Sequence, residues 1–181
     1  MKDNFAVFIM VHGRPNKVKT YSTLRKQGYT GKIYLVADNL DETVDEYKKI
    51  YDKELIIFDK LKAAKKYDSG DNTGDLRSTL YAANTVFDIA EEMGIEYFSL
   101  MCDDYYDFYY AFSDTTGKVV PNNMNVIFSL MLDVLKFRAE FVDKKATLFH
   151  ETLLANIISS SPPLFITMPY PFSPGSSLNL S

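Results

Sequence analysis

Four short apolar runs, each rich in β-formers and each stopped by polar residues, limit what this chain can become. They are Phe5 to Val11, Lys32 to Ala37, Glu54 to Phe58 and Tyr97 to Met101. Phe5 to Val11 (FAVFIMV) is apolar throughout, the pattern of a strand buried on both faces. Between the runs lie stretches of helical character. Lys17 to Gln27 carries Val18, Tyr21 and Leu24 at helical spacing, and Gly28 stands where a helix C-cap belongs. Asp41 to Tyr51 is polar, with acids in its first turn as the helix dipole favours. Lys62 to Lys66 is short and basic, and Tyr67 to Gly74 (YDSGDNTG) is a polar loop. Asp75 to Met93 carries Leu76, Leu80, Ala83, Phe87 and Ala90, and Gly94 ends it. Strands that alternate with helices predict an α/β fold with a mostly parallel sheet built from right-handed βαβ units.

The four runs end at Gly13-Arg14, Asp38-Asn39, Asp59-Lys60 and Asp103-Asp104. In a parallel sheet these ends share one edge, where open α/β folds bind ligands. Asp103 and Asp104 stand out among them. Adjacent carboxylates at a crowded strand end either hold a cation, with Mg²⁺ or Mn²⁺ the usual choice beside substrate phosphates, or open a surface loop and cap the next segment.

Composition narrows the function classes. A chain of 181 residues with 46% hydrophobic content suits one globular domain with a core. A net charge of −4 gives no basic footprint for nucleic acid. The single cysteine, Cys102, excludes an intrachain disulfide and a cysteine-cluster zinc site. The first apolar run is too short for a secretory signal, and no stretch reaches the roughly 18 apolar residues of a membrane span. The expectation is a cytoplasmic protein without a membrane partner. Beyond Phe108, Asp114 to Lys118 reads as a turn and Met124 to Phe141 as an amphipathic helix. From Phe149 to Ser181 the composition shifts, with one acid, no Lys or Arg and five of the seven prolines. The expected organisation is a domain over 1–148 and a loosely ordered Pro/Ser-rich apolar tail over 149–181.

The candidate residues each carry two readings. Gly13 allows close backbone approach, and Arg14 before Pro15 either forks onto phosphate or is solvated in a plain turn. His12 beside them is more often structural. Asp38 accepts from a ribose or base edge, or caps the next helix, a role Asp41 also fits. Lys60 offsets diphosphate charge or is solvated, and Asp59, Asp71 and Asn72 sit on loops. Arg77 and Asn84, seven residues apart on the long helix, share a face. Tyr105, Tyr106, Phe108, Tyr109 and Tyr110 form a stacking platform or pack the sheet end.

The ordered set FAVFIMVHGRPNKVKTYSTLRKQGYTGKIYLVADN, IIFDK, YDSGDNTG and LRSTLYAANTVFDIAEEMGIEYFSLMCDDYYDF resembles the phage and bacterial TET-associated glycosyltransferases over about residues 5–112. Each motif alone is weak, but their order is specific. The resemblance implies a GT-A nucleotide-sugar fold and transfer of a hexose from a nucleoside diphosphate sugar, a UDP-sugar first. It also implies a divalent metal and an acceptor that is a hydroxylated base in DNA. Onto this chain it carries Asp104 as metal ligand, and Asp103 as a second ligand or a contact to the ribose. Gly13, Arg14, Pro15, Asp38, Lys60, Arg77 and Asn84 become contacts to the nucleotide sugar. No general base is identifiable. Two positions depart from the family pattern: Cys102 replaces the first acid of an Asp-Asp-Asp triplet, and Ala83 replaces the Arg of a YARN-like segment. Relatives are longer, so the resemblance also implies a chain that lacks the acceptor-side half. The rival expectations are a non-catalytic remnant that binds nucleotide weakly or not at all, and a nucleotidyltransferase, which the GRP and FDK motifs disfavour.

Overall fold

In the computed structural model, residues 4–67, 75–77, 79–111, 118–119, 123–141, 157–158 and 165–167 are described. Four strands form the parallel part of the sheet: β1 (Phe5–Met10), β2 (Lys32–Asp38), β3 (Leu55–Phe58) and β4 (Tyr97–Cys102). Helices α1 (Lys19–Lys26), α2 (Val44–Tyr51), α3 (Lys60–Tyr67) and α4 (Leu80–Glu92) connect them. The strands stand in the order β3-β2-β1-β4, so the chain winds outward from β1 to β3 and then returns to pair β4 on the other side of β1. This is the α/β architecture expected from the alternation of elements, and it is GT-A-like.

The pleat explains the two cores. Phe5, Val7 and Ile9 of β1 face one side, where they pack with Leu24 of α1, Tyr47 of α2, and Phe128 and Met131 of α5 (Met124–Phe141). Ala6 and Phe8 face the other side, with Ala63 of α3 and Val86, Ile89 and Ala90 of α4. Alternate residues of one strand therefore feed two helical layers. A strand buried on both faces has no use for polar residues, which is why FAVFIM has none.

The ends of the helices show where local chemistry decides. After α1, Gly28 adopts φ +82°, and Tyr29 N–H returns to Leu24 C=O at 2.9 Å, so the helix closes at the glycine. Helix α2 starts at Val44 rather than Asp41, because the Asp41 carboxylate accepts from Thr43 N–H at 2.8 Å and holds a turn first. Helix α4 starts at Leu80 rather than Asp75. There Asp75 accepts from Arg77 N–H at 3.0 Å and binds its guanidinium at 3.0 Å through two nitrogens, a local alternative to helical pairing. Lys60–Tyr67 is a full helix, longer than its short basic reading, and Asp59 caps it by accepting from Lys62 N–H at 2.9 Å. The bounds of α5 coincide with the predicted helix.

Two further strand groups complete the described chain. β5 (Tyr109–Ala111) pairs antiparallel with β6 (Lys118–Val119) and with β7 (Ile157–Ile158). β8 (Phe165–Thr167) pairs antiparallel with β4. The sequence reading assigns no element within 149–181. A free edge beside β4 offers unpaired backbone groups, and Phe-Ile-Thr has the residues to accept them. The rest of that stretch, and with it the expected boundary near residue 148, lies outside the described residues. So does most of YDSGDNTG, including Asp71 and Asn72. Among the described residues no helix is long and apolar enough to cross a membrane.

Candidate functional site

Met10 of β1 pairs in register with Cys102 of β4 and with Val36 of β2. The loops leaving β1 and β4 therefore emerge side by side, at the point where the winding reverses direction. Open α/β sheets form their ligand crevice at such a switch point.

Each loop is held by a different helix. The segment after β4 lies against α1. Thr20 N–H donates to Asp103 C=O at 3.1 Å, the Thr20 hydroxyl donates to Cys102 C=O at 2.5 Å, and Tyr105 N–H donates to that hydroxyl at 2.9 Å. The Thr23 hydroxyl donates to Tyr105 and Tyr106 carbonyls, and the Gln27 amide both donates to and accepts from the Phe108 backbone. Thr20 and Thr23 of α1 and Gln27 at its C-cap lie three and four residues apart and are all buried. They satisfy a loop that no ladder serves. Tyr105 and Phe108 are buried and meet edge to face, so they pack the sheet end rather than offer a platform. Tyr106 is exposed and lies beneath the Lys19 ammonium. The side chains of Tyr109 and Tyr110 lie outside the described residues.

The segment after β1 lies against the turn and helix that follow β2. Gly13 takes φ +67°, with open space where a Cβ would stand. Its requirement for glycine is thus conformational, not steric. Gly13 N–H donates to Asp41 at 2.8 Å, Arg14 N–H donates to the Tyr47 hydroxyl at 3.0 Å, and the Tyr51 hydroxyl donates to Pro15 C=O at 3.2 Å. Pro15 is buried and opens a short 3-10 turn, Pro15–Lys17.

The charged side chains then form two groups. Lys60 pairs with Asp38 at 2.9 Å, and Asp38 also accepts from Leu40 N–H at 3.0 Å. His12 Nδ1 lies 3.3 Å from Asp38 and 3.5 Å from Asp41. Arg14 Nη2 meets Asp103 Oδ1 at 2.6 Å, across from one loop to the other. Gly13, Arg14, Pro15, Asp38, Lys60, Asp103 and Asp104 are thereby gathered at one edge. Arg77 and Asn84 make none of these contacts. The expectation that they share a helix face fails, because α4 begins after Arg77. Arg77 is spent on Asp75, which drives the Asp75 carboxyl down to about 2, and the Asn84 amide donates to Leu80 C=O within α4.

The electrostatics of the two ends differ. Burial works to raise the Asp41 pKa, but the donors Gly13 N–H, Thr43 N–H and the Thr43 hydroxyl, with His12 nearby, outweigh it and the net shift is downward. For Asp103, burial dominates, Asp104 adds to it, Arg14 opposes it, and the net shift is upward. Two carboxylate oxygens here, Asp103 Oδ2 and Asp104 Oδ1, are buried without a hydrogen-bond partner. An orphaned carboxylate oxygen is costly, and a divalent cation would satisfy both. Cys102, half-buried, has its thiol pushed upward by burial first and by both acids next. It stays a neutral, soft group unsuited to Mg²⁺ or Mn²⁺. Among the described residues no group of three His, Cys, Asp or Glu is arranged to hold a metal.

The TET-associated glycosyltransferase family matches residues 5–143, which takes in both cores, both loops and α5. This chain belongs to that family. No curated protein and no solved structure matches it. Membership makes this a glycosyltransferase by class, with a sugar donor and an acceptor. The match reaches about thirty residues beyond the motifs legible in the sequence, and the additional part is mainly α5, whose Met124 N–H is anchored on Gln27 C=O at 2.8 Å.

Proposed function

We propose that this TET-associated glycosyltransferase binds a nucleoside diphosphate sugar in the crevice between the β1 and β4 loops and transfers the sugar with the help of Mn²⁺ or Mg²⁺. The observation that carries this reading is the buried, unpartnered oxygen on each of the consecutive residues Asp103 and Asp104, at the switch point. Asp104 and Asp103 are the residues that would hold the cation. When bound, it would supply charge stabilisation to the departing nucleoside diphosphate. Arg14 neutralises Asp103, and its half-exposed guanidinium would turn onto the diphosphate of a bound donor. Asp38, at the end of β2, is placed to accept from a ribose hydroxyl, with Lys60 balancing its charge. Thr20, Thr23 and Gln27 keep the acids in place through the backbone of their loop.

The acceptor class to which the family resemblance points is a hydroxylated base of DNA. A net charge of −4 gives duplex phosphates little to hold, so an isolated hydroxylated nucleoside is the acceptor to assay first. A second reading, nucleotide binding without transfer, is favoured by Cys102, which removes one hard oxygen ligand from the β4 end.

Melting the protein with UDP and Mn²⁺ tests the first step. At a hundredfold excess over Kd, linkage contributes about 2.7 kcal/mol, a rise on the order of 5–10 °C for a domain of this size. The rise should vanish in EDTA. An unchanged melting temperature with UDP and Mn²⁺ would remove the donor reading, and an equal rise in EDTA would remove the cation.

A further inference from the structure

Three consecutive residues of the β1 loop are gripped by side chains from the segment after β2. Gly13 N–H goes to Asp41 at 2.8 Å, Arg14 N–H to Tyr47 at 3.0 Å, and Pro15 C=O receives the Tyr51 hydroxyl at 3.2 Å. We propose that Asp41, Tyr47 and Tyr51 are positioning residues that set the aim of Arg14 toward the donor diphosphate, although they reach the donor only through the loop. The inference rests on the donor reading above.

Arg14 follows Gly13 at φ +67°, and glycine, without a Cβ, does little to restrain the backbone on its own. Its side chain is half-exposed and makes one contact to Asp103. Side-chain packing therefore does not fix it, and its direction has to come from the backbone. Three tethers on three successive residues leave that backbone little freedom. Tyr47 is fully buried and Asp41 is 4% exposed, so two of the tethers start from immobile groups. Tyr51 packs at the rim against Tyr47 and Tyr21. Burial pushes the Tyr47 pKa up to about 12, so its oxygen stays a neutral hydroxyl able to accept from Arg14 N–H near neutral pH. A phosphate-binding arginine held a fraction of an ångström off its target loses the benefit of its fork geometry.

A double-mutant cycle on the full chain tests this. UDP affinity in Mn²⁺ is measured by calorimetry for wild type, Tyr47→Phe, Arg14→Gln and the double variant. Tyr47→Phe should weaken UDP about fivefold in the wild-type background, the size of one lost hydrogen bond, and less than about twofold in the Arg14→Gln background. Tyr51→Phe, at the half-buried rim, repeats the cycle should Tyr47→Phe fold poorly. Equal losses in both backgrounds, or no loss in wild type, would overturn the assignment and leave donor binding intact. Failure of wild type to bind UDP would instead defeat the donor reading, and this inference with it.

Discussion

Asp41 and Asp103 are both aspartates at the carboxyl edge of one sheet, and both are 4% exposed. Asp41 spends its oxygens on Gly13 N–H, Thr43 N–H and the Thr43 hydroxyl. Asp103 has Arg14 on one oxygen and nothing on the other, and the next residue, Asp104, carries a second orphaned oxygen. The Asp41 carboxylate is fully paired within the fold, while Asp103 and Asp104 each keep one buried oxygen without a hydrogen-bond partner. Similar residues at similar burial thus differ in how fully they are paired, by where the backbone donors point. A buried carboxylate left incomplete is retained at a cost in stability, and such costs concentrate at functional sites.

The comparison is tested hardest by Asp41→Asn. It strips charge from a carboxylate that accepts three hydrogen bonds, and should cost about 1–3 kcal/mol of unfolding free energy at pH 7. The sign with pH comes from its lowered pKa. Stability from Asp41 is present above the unfolded value of about 3.9 and is lost as pH falls through the folded value, so the gap between wild type and variant should close in acid. Urea melts at pH 7 and at a pH well below about 3.9, under the folded value, check this. A gap that widens in acid would place Asp41 in the wrong class.

Cys102→Asp sharpens the other side. A third carboxylate beside Asp103 and Asp104 should lower the melting temperature of the ligand-free protein and tighten Mn²⁺-dependent UDP binding about tenfold, by supplying a hard oxygen where the thiol gives none. Calorimetry showing equal affinity would mean that Cys102 does not face the cation.

The smallest effect belongs to Asp103→Asn in the ligand-free protein. Its ion pair with Arg14 is half-exposed on the arginine side, worth roughly 0–1 kcal/mol, and is offset by relief of a buried charge. Because the Asp103 pKa is raised, ionisation of Asp103 weakens the fold as pH rises from about 3.9 through the folded value. The variant should therefore lie within about 0.5 kcal/mol of wild type at pH 7, or above it. A loss as large as that of Asp41→Asn would erase the distinction between the two ends.

Much of this was legible in the sequence because the relevant signals are local. Apolar runs of strand length with polar stops mark β1 to β4, and an apolar helical stripe marks α5 to the residue. The gathering of Arg14, Asp38, Lys60, Asp103 and Asp104 follows from those stops once the strands are parallel. The illegible part depends on tertiary placement. Thr20, Thr23 and Gln27 look like the solvated face of a helix, and they are buried only because the loop after β4 folds back over them. Tyr47 and Tyr51 lie in a segment that reads as polar, and no spacing reveals that their hydroxyls meet the β1 loop. The late start of α4 turns on one Asp75–Arg77 pairing that competes with helix formation, which also leaves Arg77 outside the helix that Asn84 belongs to. β8 joins the sheet from about sixty residues away, and its three residues carry no periodicity of their own.

The central claim is that the β4-end acids serve a ligand and not the fold. Thermal melts of wild type and Asp104→Asn, each with and without Mn²⁺ and UDP, test it most directly. The account predicts equal melting temperatures without ligand, a rise on the order of 5–10 °C for wild type with ligand, and no rise for Asp104→Asn. A variant that melts several degrees lower without ligand, or one that keeps the rise, would contradict it.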